Sequence, residues 1–205
     1  MRSASPDGST LQAWVPRSLL QLPFGSQSIP VTPEGLTPVQ LSWRDGCLLP
    51  PTPLGLDAAP EHLVLPRLVD PHVHLDKAFS WADHPNLSGT YDGALAANLQ
   101  EHQTRSESAV LARGEQALQR ACRHGLRAVR SHIDSLGPGA EPSWRALLTL
   151  RERWQDRIEL QLVALVPLAH WQTPAGERLA EQVADRGGLL GGVLTPPCGG
   201  AEVRR

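Results

Sequence analysis

Apolar runs alternate with amphipathic stretches along most of the chain. Four runs, at residues 63–69, 126–133, 158–167 and 189–194, are rich in Leu, Val and Ile and have the length of strands. These runs are largely apolar, which is typical of strands that are buried on both faces of a parallel sheet. The pattern therefore predicts four parallel strands.

The segments between these runs carry helix signals. Thr104 and Glu107 have the spacing of a capping box, and Gly125 stands where the helix that follows them should end. Pro142 is expected at the first position of a second helix, and Thr173, which precedes a proline, predicts the start of a third. Each predicted helix connects two of the predicted strands.

Strands and helices in this order form successive βα units. We therefore expect an α/β fold, a partial (β/α)8 TIM-type barrel with about its first four βα units, because a full barrel takes roughly 250 residues. Residues 1–38 are predicted to be a loosely ordered leader with one strand near residues 11–15. Residues 39–62 should form a small β segment, and residues 63–205 the N-terminal half of the barrel.

The composition and charge of the chain argue against several classes of binding partner. The net charge of −2, with acidic and basic residues interspersed, argues against nucleic acid as a partner. Pro16 and Gly25 interrupt the apolar patch near the N-terminus, so neither a membrane partner nor an export signal is expected. Cys47, Cys122 and Cys198 are too far apart in sequence to suggest a disulfide framework, and we expect a reducing, cytoplasmic location.

Polar side chains follow the first predicted strand. His72 and His74 are two residues apart, so on a strand both imidazoles project to one side and can reach one metal ion. Spacing alone is weak evidence, but the pair ends an apolar run, where a βα barrel places its active site. Asp76 has the same parity and is a candidate acceptor that would fix an imidazole tautomer.

Further candidates for a substrate pocket follow all three of the first strands. Among 19 Lys and Arg residues only Lys77 is lysine, so a specific need for a compact ammonium and chance both remain open. His132 and Asp134 share one face of the second strand, where they either line a pocket or form an ordinary structural pair. His170 follows the third strand and is a candidate for the mouth of the pocket.

Residues 65–78, Leu-Pro-Arg-Leu-Val-Asp-Pro-His-Val-His-Leu-Asp-Lys-Ala, resemble the first-strand signature of the cytosine deaminase and N-isopropylammelide-type members of the amidohydrolase superfamily. Residues 86–90, 125–134 and 159–164 resemble other pieces of that group, and the likeness covers roughly residues 63–194. The resemblance implies the N-terminal part of a barrel whose divalent metal, zinc or iron, activates water to attack a small cyclic amidine or amide substrate.

The resemblance also implies roles for particular residues. His72 and His74 would be two metal ligands, whereas the other ligands and the catalytic acid or base would lie beyond Arg205. A catalytic zinc normally needs three or more protein ligands, so metal binding by this chain is expected to be weak or absent. Cytosine-specific members carry a glutamine just after the third strand, where Pro167 stands here, which disfavours cytosine as the substrate.

Three functions remain open at this point. The first is a metal-dependent amidohydrolase or deaminase acting on non-peptide C–N bonds, present here as a truncated chain that is inactive alone. The second is a catalytically incomplete remnant. The third is a non-enzymatic half-barrel that forms a homo-oligomer through its open sheet edges, because unpaired strand edges favour association.

Overall fold

The computed structural model describes residues 9–21 and 29–194. Residue contacts divide the chain into two units, Met1–Pro66 and Arg67–Arg205. Cys198 and much of the predicted leader lie outside the described residues. Among the described residues, no helix has both the length and the apolar character needed to cross a membrane.

The first unit is a small antiparallel sheet. Strand β1 (Thr10–Pro16) pairs along its whole length with β2 (Leu36–Arg44), so this part of the predicted leader is an ordered strand. The turn at Asp45 and Gly46 has positive φ at both residues, as a two-residue hairpin requires, and leads into β3 (Cys47–Leu48). Strand β4 (Thr52–Pro53) also pairs with β2, and the core of this unit consists of four side chains, Ala13, Val15, Val39 and Leu41.

The second unit is the expected α/β alternation around a parallel sheet. Its strands are β5 (Leu68–Val73), β6 (Leu126–Asp134), β7 (Glu159–Pro167) and β8 (Leu189–Val193), hydrogen-bonded in that order. Helices α1 (Tyr91–Thr104) and α2 (Glu107–Arg123) follow β5, and α3 (Ala140–Trp154) and α4 (Pro174–Asp185) follow β6 and β7. The predicted order of strands is confirmed.

The start of the second unit differs from the prediction in two ways. Thr104 is the last residue of α1 and caps nothing, because the N-cap of α2 is Ser106, whose hydroxyl accepts from Ala109 N. Strand β5 begins at Leu68 rather than at residue 63, and Leu68 and Val69 are 56% and 59% exposed. The prediction of a strand buried on both faces is therefore wrong for β5, and it is also wrong for β8, where Leu189 and Leu190 are 44% and 53% exposed.

The core of the second unit lies between the helices and one face of the sheet. It is formed by alternate residues of β6 and β7 and by one side of α2, α3 and α4, with Val129, Ile133, Leu160, Leu162, Val110, Leu118, Trp144, Leu147, Leu150 and Val183 buried. Gly114 lets α2 approach α3, because an added Cβ would lie 2.5 Å from Leu150 Cδ1. The opposite residues of β6, including His132 and Asp134, therefore lie on the other face of the sheet from this core.

Candidate active site

Three imidazoles meet at the ends of β5 and β6. The rings of His72 and His74 have centroids 5.3 Å apart and planes at 70°, whereas His72 stacks on His132 with centroids 4.0 Å apart and planes at 18°. His72 lies within β5, and His74 follows its last residue. The structure therefore brings His132 to the pair that the sequence singles out.

His74 is held by a backbone carbonyl of the neighbouring strand. Its Nδ1 lies 2.9 Å from the carbonyl oxygen of His132, which can only accept, so Nδ1 carries the proton. Burial lowers the pKa of His74, and the charge of Lys77 adds to that effect. With the proton on Nδ1, a neutral ring would present the lone pair of Nε2.

His132 differs from His74 in its hydrogen bonding and in the orientation of its ring relative to His72. Burial lowers its pKa, as do the adjacent His72 and His74, and its Nδ1 is buried without a hydrogen-bond partner. An imidazole binds a metal ion through a lone pair in the plane of its ring, and the nearly parallel planes of His132 and His72 do not converge on one point.

The histidines at these strand ends fit only part of the ligand set of a divalent metal ion. The edge-to-face pair of His72 and His74 offers two imidazole nitrogens of the kind that zinc and iron accept. Within residues 9–21 and 29–194, no group of three His, Cys, Asp or Glu residues is arranged to hold an ion. His72 and His74 are the two residues of this part of the chain whose geometry would let them contribute to such a site.

Lys77 and Asp134 form an ion pair beside the histidines. Lys77 Nζ lies 2.7 Å from Asp134 Oδ2, and Asn98 Nδ2 donates to the same oxygen over 3.1 Å. Burial opposes the charge on Asp134, but Lys77 and Asn98 outweigh it and lower the pKa of the carboxyl. This arrangement places one cation and one anion next to the imidazoles.

Asp76 does not have the partner that the sequence predicts. Its Oδ2 accepts from Arg105 Nη1 over 2.9 Å and from Asp134 N over 3.3 Å, rather than from an imidazole, and its Oδ1 is buried without a hydrogen-bond partner. Burial raises the pKa of Asp76, and the charges of Lys77 and Arg105 offset part of that rise. The proposed orienting role of Asp76 for an imidazole tautomer is therefore a wrong prediction.

Sequence reasoning missed the residues around Asp76. Arg105 follows α1 and also binds Glu101 and Asn98, and Arg113 of α2 binds Glu101 from another side. Glu101 and Arg105 are four residues apart, a spacing that could have indicated a pair. The expectation of a helix beginning at Thr104 hid this signal.

His170 stands apart from the histidine cluster. It lies in a short 3-10 helix, Leu168–Gln172, that follows β7, and its ring contacts Trp171 with centroids 6.1 Å apart. Its carbonyl oxygen accepts from Thr173 Oγ1 at the start of α4. None of these contacts joins it to the ends of β5 and β6.

The chain matches no protein-family model. It is 36% identical over 169 residues to a pterin deaminase of Rhizobium rhizogenes, a match that covers 78% of this chain and 39% of that protein. It is 26% identical over 138 residues to an N-isopropylammelide isopropyl amidohydrolase of a Pseudomonas species, covering 64% of this chain and 34% of that protein. The chain thus spans well under half the length of these relatives.

A solved structure supports the fold. The 5-methylcytosine deaminase of Klebsiella pneumoniae superposes with a TM-score of 0.60 at 18% identity, over 90% of this chain and 50% of that one. The four-stranded parallel sheet is accordingly a partial TIM-type barrel. The chain is a relative of the cytosine deaminase-like enzymes of the amidohydrolase superfamily.

Proposed function

We propose that this chain carries the first part of the site of a metal-dependent amidohydrolase or deaminase acting on a non-peptide C–N bond of a cyclic amidine or amide. Two relatives of the chain are a pterin deaminase and an N-isopropylammelide amidohydrolase, both named for reactions at C–N bonds of nitrogen-rich rings. The whole protein's partner is then a small molecule.

One observation carries the proposal. His74 donates from Nδ1 to the His132 carbonyl, so that its Nε2 lone pair is free, and the His72 ring stands edge-on beside it. A hydrogen bond from the non-ligating nitrogen is what fixes a metal-binding histidine in its tautomer. We assign His72 and His74 as two ligands of zinc or iron.

A bound metal would supply Lewis acidity and a hydroxide-like water near neutral pH. The neighbouring side chains of this chain have separate roles. Lys77 and Asp134 place paired charges beside the site, and the ring of His132 stacks on that of His72. The remaining ligands and the acid or base that moves protons are proposed to come from parts of the relatives' fold that this chain does not span.

The substrate class is proposed from the ring systems of the relatives. A pterin-like or triazine-like ring offers an amidine carbon that water can attack, with ammonia or an amine as the leaving group. Cytosine is disfavoured, because β7 ends at Pro167 and a proline side chain offers no hydrogen bond to a pyrimidine.

The metal assignment is tested by zinc titration of the 205-residue chain. We expect weak binding that dialysis against a mild chelator removes, because two imidazoles leave most of the coordination shell to water. The double variant His72→Ala/His74→Ala should lose this binding. The control His62→Ala/His124→Ala, which removes two exposed histidines, should keep it. Equal binding by both variants would remove the assignment.

Activity provides a second test. We expect no turnover of pterin, ammelide-like or cytosine substrates by the 205-residue chain, since its described residues contain no complete ligand set. Turnover above that of His72→Ala/His74→Ala would show that the chain completes its own site. A longer chain that includes the region matching the rest of the relatives should turn over one of these substrates.

A second candidate function is a self-associating half-barrel. Leu68 and Val69 on β5, and Leu189 and Leu190 on β8, are 44–59% exposed at the two edges of the sheet. On the wide spacing of the three cysteines in the sequence, we propose a cytoplasmic location in either case.

A further inference from the structure

Arg105 is a buried cation with partners from several parts of the second unit. Its side chain is 0% exposed, and its guanidinium binds Glu101, Asn98, Asp76 and Ser143. Taking a guanidinium out of water is unfavourable unless its donors are paired, and here all three nitrogens have partners. Arg105 therefore has one well-defined position.

Arg105 contacts Asp76 and Asp134, which lie at or just after the ends of the two strands that carry the histidines. Asp76, two residues after His74, accepts from Arg105 Nη1 over 2.9 Å. Asp134, two residues after His132, has its Oδ2 3.6 Å from Arg105 Nη2, and its backbone N–H donates to Asp76 Oδ2. A single guanidinium thus links the end of β5 to the end of β6.

The same two strand ends are joined by the hydrogen bond from His74 Nδ1 to the carbonyl of His132. Displacement of either strand end by an ångström would break that bond, since a 2.9 Å contact tolerates little extension. We propose that Arg105 is a positioning residue: by holding Asp76 and Asp134 it keeps the His74 ring in the tautomer that presents Nε2. The consequence for metal binding rests on the proposed function, whereas the positioning of His74 does not.

Arg113 offers a matched control within the same network. It binds Glu101 as Arg105 does, but this ion pair involves neither Asp76 nor Asp134. Loss of Arg113 and loss of Arg105 both remove one cation from Glu101. Only the loss of Arg105 removes the guanidinium that contacts both Asp76 and Asp134.

The test is the protonation of the His74 ring nitrogens, measured by magic-angle-spinning NMR of sedimented chain labelled with 13C and 15N in histidine. The sample is kept at alkaline pH, where imidazoles are neutral, and the His74 signal is identified by its loss in His74→Gln. We expect one Nδ1–H tautomer in the unaltered chain and in Arg113→Gln. Arg105→Gln should show the averaged nitrogen shifts of two exchanging tautomers.

A retained single Nδ1–H tautomer in Arg105→Gln would overturn the proposal, as would its absence from the unaltered chain. Helix content by circular dichroism accompanies each sample. If Arg105→Gln has lost its helices, Asp76→Asn takes its place, because it keeps the shape of Asp76 but weakens its bond to Arg105. Two exchanging tautomers of His74 in Asp76→Asn would then support the proposal, and a single Nδ1–H tautomer would overturn it.

Zinc affinity separates this proposal from the proposed function. If His72 and His74 are ligands, Arg105→Gln should bind zinc about 10-fold more weakly than Arg113→Gln, as is usual when support for a ligand is removed. If zinc binding is unaffected by His72→Ala/His74→Ala, the metal assignment fails. The tautomer result continues to test Arg105 on its own.

Discussion

Lys77 Nζ and Asp134 Oδ2 are 2.7 Å apart, and this ion pair joins the segment after β5 to the last residue of β6. Its side chains are 20% and 22% exposed, so the pair is shielded from much of the solvent. Asn98 of α1 donates to the same carboxylate oxygen and brings a third element to this point. The residue that stands out as the single lysine of the sequence therefore has a specific partner.

Replacement of Lys77 by methionine should destabilise the fold by about 1–2 kcal/mol, a value between those of exposed and fully buried pairs. Urea unfolding monitored by circular dichroism measures the change. Lys77→Arg should recover part of the loss, because it restores the charge with a different shape. The control Arg145→Met removes an ion pair with Glu107 whose side chains are 56% and 47% exposed, and it should have less than about 0.5 kcal/mol of effect. Equal effects of the two methionine variants would contradict this prediction.

Glu101 should make stability depend on pH in the acid range. Burial opposes its ionisation, but the hydrogen bonds and charges of Arg105 and Arg113 outweigh burial and lower its pKa below the ordinary value of 4.5. A carboxyl with a lowered folded pKa stabilises the fold above its unfolded pKa, and this contribution is lost as pH falls through the folded value.

The difference in urea midpoint between the unaltered chain and Glu101→Gln should accordingly be constant above the ordinary pKa of 4.5 and shrink below it. Glu107→Gln serves as the control, because Glu107 is largely exposed in its ion pair with Arg145 and should show a much smaller difference. A Glu101 difference that grows on acidification would have the wrong sign and would contradict the prediction.

Trp144 packs α3 against the sheet, and even a small change of its side chain should lower the free energy of unfolding. It is 1% exposed, and its indole Nε1 donates to Ser135 Oγ over 3.0 Å. Trp144→Phe removes that donor and part of the ring, and we expect a loss of about 1–3 kcal/mol in unfolding free energy. Trp81→Phe, at a side chain that is 61% exposed, should change it by less than about 0.5 kcal/mol. A similar loss in both variants would argue against packing as the cause.

The sequence predicted the later βα units well because their signals are local. Gly125 has φ +84 after α2, as expected of a residue that ends a helix, and the Thr173 hydroxyl accepts from Gly176 N at the start of α4. Strands β6, β7 and β8 follow the apolar runs closely. Such features depend on neighbours in sequence and need no knowledge of distant contacts.

The first βα unit was predicted less well because its features depend on distant contacts. Helix α1 buries only Glu101 and His102, so it has no apolar periodicity to reveal it. The partner of Asp76 is Arg105, which lies 29 residues further along the chain. No spacing rule connects two residues that far apart, and the role proposed for Asp76 failed for that reason.

Self-association through the sheet edges is the prediction that separates the two candidate functions most directly. In the sheet that the described residues form, β5 and β8 each pair with one neighbour and leave one edge open. Consecutive strand residues point to opposite faces, so the exposure of both Leu189 and Leu190 shows that β8 is open on each face. Open edges with apolar side chains favour pairing with another chain, and a lysine on such an edge opposes it.

We expect the 205-residue chain to form concentration-dependent oligomers in sedimentation velocity, and Leu190→Lys to shift them toward the monomer. Leu87→Lys, at a loop side chain that is 87% exposed, is the control and should leave the distribution unchanged. A chain that stays monomeric at every concentration, or equal responses to the two lysines, would exclude the edges as the site of association and with them the self-associating half-barrel.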